Sequence, residues 1–462
     1  MVKGEKINFS IPSGFPEFLP SEKRLECYLL ETIRKVFESY GFTPIETPAV
    51  ERLEVLQAKN NQGDNIIYGI APILPPNRQL EKEKAGEGIS ELRALKFDQT
   101  LPLAAYIARH LNDLTFPFAR YQMDMVFRGE RAKDGRFRQF RQCDIDVVAR
   151  RELSLLYDAQ MPAIISEIFE AINIGDFLVR INNRKILTGF FQSVGVTQHK
   201  IKTCITIVDN LEKVGEAKIK QNLEKEGLSL KQAQKIIDFV QIDGDVDDIL
   251  DKLKHLSQNF LESEQFSLGL MELETVISGV RNLGVSKNRF AVDLSIARGL
   301  DYYTGTVYET TLLGHETLGS ICSGGRYEEL VGTFLGDKMP GVGISIGLTR
   351  LMSRLLKAGI LQALPPTPAQ VMVVNVREDL MPFYLEISQK LRQAGLNVLT
   401  CFDNWNLKKQ FQLADKQGIR FCVIMGYEEV KAKKCSMKDL HNREQIELTW
   451  DKLIREIIRR LS

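Results

Sequence analysis

From Ser21 to Tyr40 apolar residues recur every third or fourth position. Leu25, Leu29, Ile33, Val36 and Phe37 share one face, which predicts an amphipathic helix. Ser21 is the expected N-cap and Gly41 the expected stop. FTPIETPAVE follows. Pro44 and Pro48 cannot donate to a ladder, so this extended segment belongs at a sheet edge or an interface. Residues 71–90, rich in Pro, Gly, Lys and Glu, predict an irregular loop. The period then changes to two. In ARYQMDMVFR (119–128), Tyr121, Met123, Met125 and Phe127 alternate with Gln122, Asp124, Val126 and Arg128. Beyond the turn GERAKDG, a second arm sets Arg138, Phe140, Gln142, Asp144 and Asp146 on one face and Cys143, Ile145 and Val147 on the other. Two alternating arms joined by a charged turn predict an antiparallel hairpin.

From 190 to 285 the pattern is helical, lysine-rich and short-looped. Strand patterns return at RFAVDLSI (289–296), GTVYETTLL (305–313) and GVGISI (341–346), the last running into the helix GLTRLMSRLLKAG. PPTPAQ (365–370) reads as a linker. Beyond it lies a β-α-β-α-β pattern whose helices stop at Gly395 and Gly418, then a terminal helix. The chain therefore divides into residues 1–189 with 286–364, a mostly helical insertion at 190–285, and an α/β module at 365–462.

At 462 residues the chain is long enough for several domains, and its composition is that of an ordinary soluble protein. A net charge of +1 provides no global field toward nucleic acid or anionic lipid, so such contacts need local patches. The seven cysteines are odd in number and form no CxxC pair, which favours a reducing compartment over a disulfide framework or a cysteine zinc site. The histidines are isolated, and no metal-ligating cluster is expected. No secretory h-region and no apolar run of about 20 residues is present, so the expected location is cytoplasmic.

Five constellations carry chemistry. In the hairpin, Gln142 and Asp146 lie four residues apart on one face, roughly 13 Å in a strand, and could hold opposite ends of a small ligand. Arg128, Arg131, Lys133, Arg136 and Arg138 suit phosphate oxygens. The same charges also fit a solvated surface hairpin. In IARGLDYYTGTVYE, Arg298, Tyr302 and Tyr303 suit a polar ring ligand, or else a turn between core strands. In SGGRYEEL the paired glycines would let a ligand approach the backbone before a helix, or else form a simple turn, with Tyr327 beside them. In GVGISIGLTRLM, Arg350 falls in a first helical turn that favours anions. The order of elements there is wrong for a dinucleotide fingerprint, and no P-loop pattern occurs. In LKFDQTLPLA, Lys96, Asp98 and Thr100 precede an apolar helix, with Thr100 the expected cap.

Taken in order, TPAVE, FRGER…GRFRQFRQCDIDV, ARGLDYYTGTVYE, SGGRYEELV and GVGISIGLTRLM resemble the histidyl-tRNA synthetase family. The resemblance runs from about Gly14 to the C-terminus. ARGLDYYTG and SGGRY are its specific signatures. It implies an α/β (α+β) fold: a class II catalytic domain with an antiparallel sheet of six or seven strands, a helical insertion, and a C-terminal anticodon-binding domain. It implies a homodimer that activates L-histidine with ATP and Mg²⁺, the metal held mainly through the ATP phosphates, and then charges tRNA(His). By resemblance, Asp98, Gln99, Thr100 and Gln142 belong to the ammonium end of the histidine site. Asp146 and Tyr303 would read the ring nitrogens, with Tyr302 and Tyr327 lining the slot. Arg128 would bind the α-phosphate, and Arg298 would bridge it to the substrate carboxylate. Arg136 and Arg138 would meet other phosphates, and Arg350 the adenine or γ-phosphate. The basic helix 406–418 and a Lys-rich turn at 431–438 would meet tRNA. Lys96-Phe97 and Asp98 replace the usual bacterial Arg-Pro and Glu, and DQT and QCDID are closer to the eukaryote-like form. The alternative is a non-catalytic, synthetase-like regulatory subunit of ATP phosphoribosyltransferase. Such subunits lack the anticodon module and tend to lose the arginines.

Overall fold

The computed structural model describes residues 8–58, 66–71, 92–132, 135–259, 263–297 and 303–461. Most of the loop expected at 71–90, and Lys133 of the hairpin turn, lie outside the described residues. The chain forms two compact units. One is Met1–Pro16 with Leu29–Leu361; the other is Glu17–Tyr28 with Gln362–Ser462.

The strands of the first unit are β1 (Thr43–Pro44), β2 (Val50–Arg52), β3 (Gly69–Ile70), β4 (Arg93–Leu95), β5 (Phe118–Phe127), β6 (Gln139–Val148), β7 (Phe177–Asn183), β8 (Phe290–Val292), β9 (Tyr303–Leu312), β10 (Cys322–Tyr327) and β11 (Gly341–Gly347). Eight of them make one sheet in the order β1-β5-β6-β11-β10-β9-β7-β8, and β2, β4 and β3 make a small separate sheet. The interior pairs are antiparallel, but the outermost pairs β1·β5 and β7·β8 are parallel. The six strands β5-β6-β11-β10-β9-β7 are the expected antiparallel sheet, and one parallel strand is added at each edge. The edge strands are stubs of two and three residues within the extended segments expected at FTPIETPAVE and RFAVDLSI. β1 contains Pro44, at an edge as proline requires.

The hairpin forms as its alternation predicts, with Phe118 opposite Val148 and Phe127 opposite Gln139. Ile145 of β6, Ile344 of β11, Gly324 of β10 and Tyr308 of β9 stand in one cross-strand row. The Tyr308 hydroxyl donates to the Asp158 carbonyl, 2.9 Å, on the helix Leu156–Ala171, so this row faces helix. Cys143, Ile145 and Val147 are fully buried there. Gln142, Asp144 and Asp146 stand on the opposite face.

The first helix runs Pro20–Ser39, one residue earlier than expected. Ser21 lies inside it and is not the cap; Glu22 accepts from the Leu19 N–H at 3.2 Å. Gly41 supplies the expected left-handed stop at φ 80°. Between Gln198 and Asn282 six helices follow one another among the described residues. The last, Glu264–Asn282, packs on Leu156–Ala171 and Arg184–Ser193.

In the second unit β12 (Val371–Val373), β13 (Val398–Thr400), β14 (Phe421–Ile424), β15 (Lys434–Asp439) and β16 (Glu444–Thr449) form a sheet ordered β13-β12-β14-β15-β16. Its parallel half is the expected β-α-β-α-β pattern. The β15–β16 hairpin replaces the Lys-rich turn expected at 431–438, because Cys435, Met437 and Asp439 point inward with period two. Val371, Tyr384, Leu391, Phe421, Trp450 and Ile457 fill one face of the sheet, and Met372, Ala414 and Cys422 the other. Arg24 donates to the Thr367 carbonyl at 2.6 Å and ties the segment Glu17–Tyr28 to this unit.

Candidate active site

Three carboxylates are buried on or beside the opposite face of the sheet, where the helix Thr100–Arg109 packs: Asp98, Asp144 and Asp146. Asp98 precedes the helix Thr100–Arg109 and accepts from the Leu101 N–H at 3.3 Å, so Asp98 rather than Thr100 closes that helix end. Its other oxygen, Oδ2, is buried and has no partner among the described residues. Burial pushes the Asp98 carboxyl up to about 6, against the pull of Leu101 N–H and of Arg128. Asp144 is pushed up to about 7 by burial, although Arg120 and Ser345 favour its charge. Burial also raises Asp146, opposed by the fully buried Arg120. Arg120 Nη2 donates to Asp146 Oδ2 at 2.5 Å, and the Tyr327 hydroxyl donates to Asp146 Oδ1 at 2.9 Å. Gln99 and Gln142 complete the group. Gln99 Nε2 donates to the carbonyls of Gln142 and Asp124 at 3.1 and 3.3 Å, and Gln142 Nε2 to Ser345 Oγ at 2.9 Å. Both amide oxygens are buried without a partner among the described residues.

Glycines make the room. SGGRY is not a turn: Gly324 and Gly325 lie within β10. A Cβ on Gly325 would fall 2.9 Å from the Tyr303 ring. One on Gly341 would fall 2.4 Å from the Tyr327 ring, and one on Gly343 2.3 Å from both Asp146 Oδ1 and the Ile145 carbonyl. The phenols and the acid thus rest on bare neighbouring backbone. Gly343→Ala is expected to displace Asp146 and raise the KM for the substrate it contacts roughly tenfold, the scale of one hydrogen bond to a charged group. Steady-state kinetics checks this, and an unchanged KM would show that the close approach does not matter.

The arginines separate. Arg128 sits at the end of β5, its guanidinium 5.0 Å from the Phe140 ring and its Nε donating to the Phe97 carbonyl at 3.1 Å. Arg138 is engaged by the carbonyls of Glu130 and Ser13, at 3.1 and 3.4 Å, and anchors the N-terminal segment. Arg136 is exposed. Arg350 is in the first turn of the helix Leu348–Lys357 and reaches the Leu318 carbonyl at 3.5 Å. Arg298 and Tyr302 lie outside the described residues. A cavity of about 630 Å³ lies elsewhere on this unit, lined by Arg180, Glu212, Asp243, Val292 and Asp293.

The family model for histidyl-tRNA synthetase matches residues 84–351, and that for the anticodon-binding domain matches residues 370–460. A histidine–tRNA ligase of Nostoc punctiforme is 78% identical over the whole of both chains. The chain belongs to the histidyl-tRNA synthetase family. A ligase of Xanthomonas oryzae is 42% identical, covering 96% of each chain. The crystal structure of the histidyl-tRNA synthetase from Nostoc sp. PCC 7120 superposes with a TM-score of 0.91 at 73% identity, covering 98% of this chain and 100% of that one. A Bacillus halodurans protein described as an ATP phosphoribosyltransferase regulatory subunit/histidyl-tRNA synthetase has a TM-score of 0.71 at 16% identity, which speaks for the fold alone. The alternative of a regulatory subunit gains nothing from it, since the anticodon module is present. The molecule is an aminoacyl-tRNA synthetase with ATP as a substrate.

Sequence reasoning missed Arg120, Ser345 and the cap role of Asp98. Arg120 shares strand parity with Gln122 and Asp124, so extending the alternation back two residues would have placed it beside Asp146. Ser345 gave no signal of its own. It is found only through the register that sets it opposite Asp144.

Proposed function

We propose that histidine lies on this face with its ammonium group against Asp98, Gln99, Thr100 and Gln142. The supporting observation is that three buried acceptor oxygens, Asp98 Oδ2, Gln99 Oε1 and Gln142 Oε1, have no partner among the described residues. Buried acceptors without partners cost about 1–3 kcal/mol each, a cost that a bound ammonium removes. Asp146 and Tyr303 read the ring nitrogens, Tyr327 and Tyr302 line the slot, and Arg120 favours the charged form of Asp146 against burial. A slot that hydrogen-bonds both nitrogens rejects apolar isosteres strongly.

Arg128 takes the α-phosphate of ATP. Arg298 bridges it to the histidine carboxylate, Arg136 and Arg138 meet the outer phosphates, and Arg350 meets adenine or the γ-phosphate. Mg²⁺ would be held mainly through the ATP phosphates and would offset their negative charge. A carboxylate oxygen bonds to the α-phosphorus while the bond to pyrophosphate breaks. The carboxylate is already ionised, so this step needs no general base; it needs positive charge where two anions meet. The terminal adenosine hydroxyl of tRNA(His) then attacks the acyl carbon and releases AMP.

In the second unit Lys409 lies 3.7 Å from the Trp405 ring and Lys438 4.4 Å from the Phe411 ring, and Phe402 is exposed. Cations paired with aromatics suit phosphates and unstacked anticodon bases. The division of labour is residues 1–189 with 286–364 for catalysis, 190–285 as insertion and 365–462 for the anticodon. Val50, Ile70 and Leu92, exposed around the small β2-β4-β3 sheet, support a homodimer through that face. No described helix is long and apolar enough to cross a membrane, and the cytoplasm, where tRNA is charged, is the proposed location. The experiment is ATP–pyrophosphate exchange with each amino acid in turn. Exchange that depends on histidine and is absent with the other amino acids is expected; folded protein that shows none refutes the reading.

A further inference from the structure

Asp144 lies between Gln142 and Asp146 on β6, buried, with nothing in the reaction above for it to do. Its neighbour across the strands is Ser345 of β11. The Ser345 hydroxyl donates to Asp144 Oδ1 at 2.5 Å and accepts from Gln142 Nε2 at 2.9 Å. A serine hydroxyl has one hydrogen. While Asp144 is ionised it can only accept, so that hydrogen is committed to it. Ser345 then offers Gln142 lone pairs alone. Gln142 must turn its NH₂ toward Ser345 and its oxygen the other way, and that oxygen is the buried, unpartnered one.

We infer that Asp144 is a positioning residue which, through the Ser345 hydroxyl, fixes the Gln142 amide with its oxygen presented to the ammonium group of histidine. The inference rests on the reading that Gln142 receives this ammonium. A protonated Asp144 reverses the relay. It donates to Ser345, the serine hydrogen turns to Gln142, and an amide that accepts this hydrogen shows NH₂ to a cation. Geometry alone makes the relay two-sided, and the raised carboxyl of Asp144, about 7, sets where it reverses. The groups facing Asp144 are Arg120 from β5, which lowers it, Asp146 and Asp98, which raise it, and the neutral Cys322 thiol of β10.

The sign follows from an acid whose charged form is the competent one. Competence is present above about pH 7 and lost as pH falls through it. The kcat/KM for histidine reports the free enzyme, so it should fall as pH drops through this range. Titration of the substrate ring and of Asp98 is common to wild type and variants and cancels in their comparison.

The experiment measures ATP–pyrophosphate exchange from pH 6 to 8.5 for wild type, Ser345→Ala, Asp144→Asn and Gln142→Leu. Ser345→Ala and Asp144→Asn should raise the KM for histidine roughly tenfold, as expected for losing one hydrogen bond to a charged group, with the KM for ATP changed less than twofold. In both, the part of the fall in kcat/KM centred near pH 7 should vanish, leaving only the fall common to wild type and variants. If that part survives in Ser345→Ala, Asp144 acts through space and the relay is wrong. If Gln142→Leu raises the histidine KM while Ser345→Ala leaves it unchanged, the relay is wrong and the ammonium reading stands. If Gln142→Leu also leaves it unchanged, both fall. The wild-type profile is a further check that depends on no variant folding: a kcat/KM flat between pH 6 and 8 refutes the inference.

Discussion

Arg128→Ala is expected to slow histidine-dependent ATP–pyrophosphate exchange about 100- to 1,000-fold, the usual loss when one preorganised donor is removed from a developing anion. The position is unusually well prepared. The Phe140 ring lies under the guanidinium, and the Phe97 carbonyl holds Nε, so the plane is fixed from two sides. The Nη groups have no hydrogen-bond partner among the described residues. They are therefore available to oxygen without breaking a protein contact, and no reorganisation is needed when the phosphate arrives. Arg128→Lys should recover little, because an ammonium cannot make the same fork. A smaller rise in the histidine KM accompanies the loss, because Arg128 is one of the groups that keeps Asp98 from rising further. Rapid-quench measurement of adenylate formation separates the two effects. A rate within threefold of wild type would remove Arg128 from the phosphate site.

Asp158→Ala is expected to cost about 3–5 kcal/mol of stability, the range for breaking a buried ion pair and leaving its partner uncompensated. Asp158 and Arg326 are both buried. Arg326 donates from Nε and Nη2 to the carboxylate, at 3.0 and 2.6 Å, and from Nη2 to the carbonyls of Leu153 and Ser154. The pair joins β10 to the helix Leu156–Ala171 where the register between β9 and β10 shifts, between Gly325 and Tyr327. Such an irregularity re-aims the next side chain, here the Tyr327 that donates to Asp146. Urea unfolding followed by fluorescence reads the stability. A midpoint equal to wild type would mean that the pair is not holding the strand.

The hairpin and its face were legible because alternation sustained over ten residues matches the period of a strand and not that of a helix, and the acids of QCDID share parity with Gln142. The SGGRY strand was not legible. Paired glycines usually mark a turn, and here they mark places where Tyr303 and the β11 backbone press on the sheet, which depends on strands distant in sequence. Arg326 is separated from Asp158 by 168 residues, and nothing near either predicts the other. The Asp98 cap was missed by two positions, since Thr100 is as good a capping residue on paper. β8 was legible within RFAVDLSI, of which it uses three residues, whereas β7 was not singled out.

The rims of the large sheet bear on how much of the chain can be trimmed. On one side it finishes at a proline that offers no N–H to a passing strand. On the other it finishes at β8, and the helix Val246–Asn259 from the excursion between β7 and β8 lies against it. That helical excursion looks dispensable when only the chemistry is considered. Cutting it away would uncover a row of hydrogen-bonding groups beside Val292, and the shortened molecule would tend to zip onto its own copies.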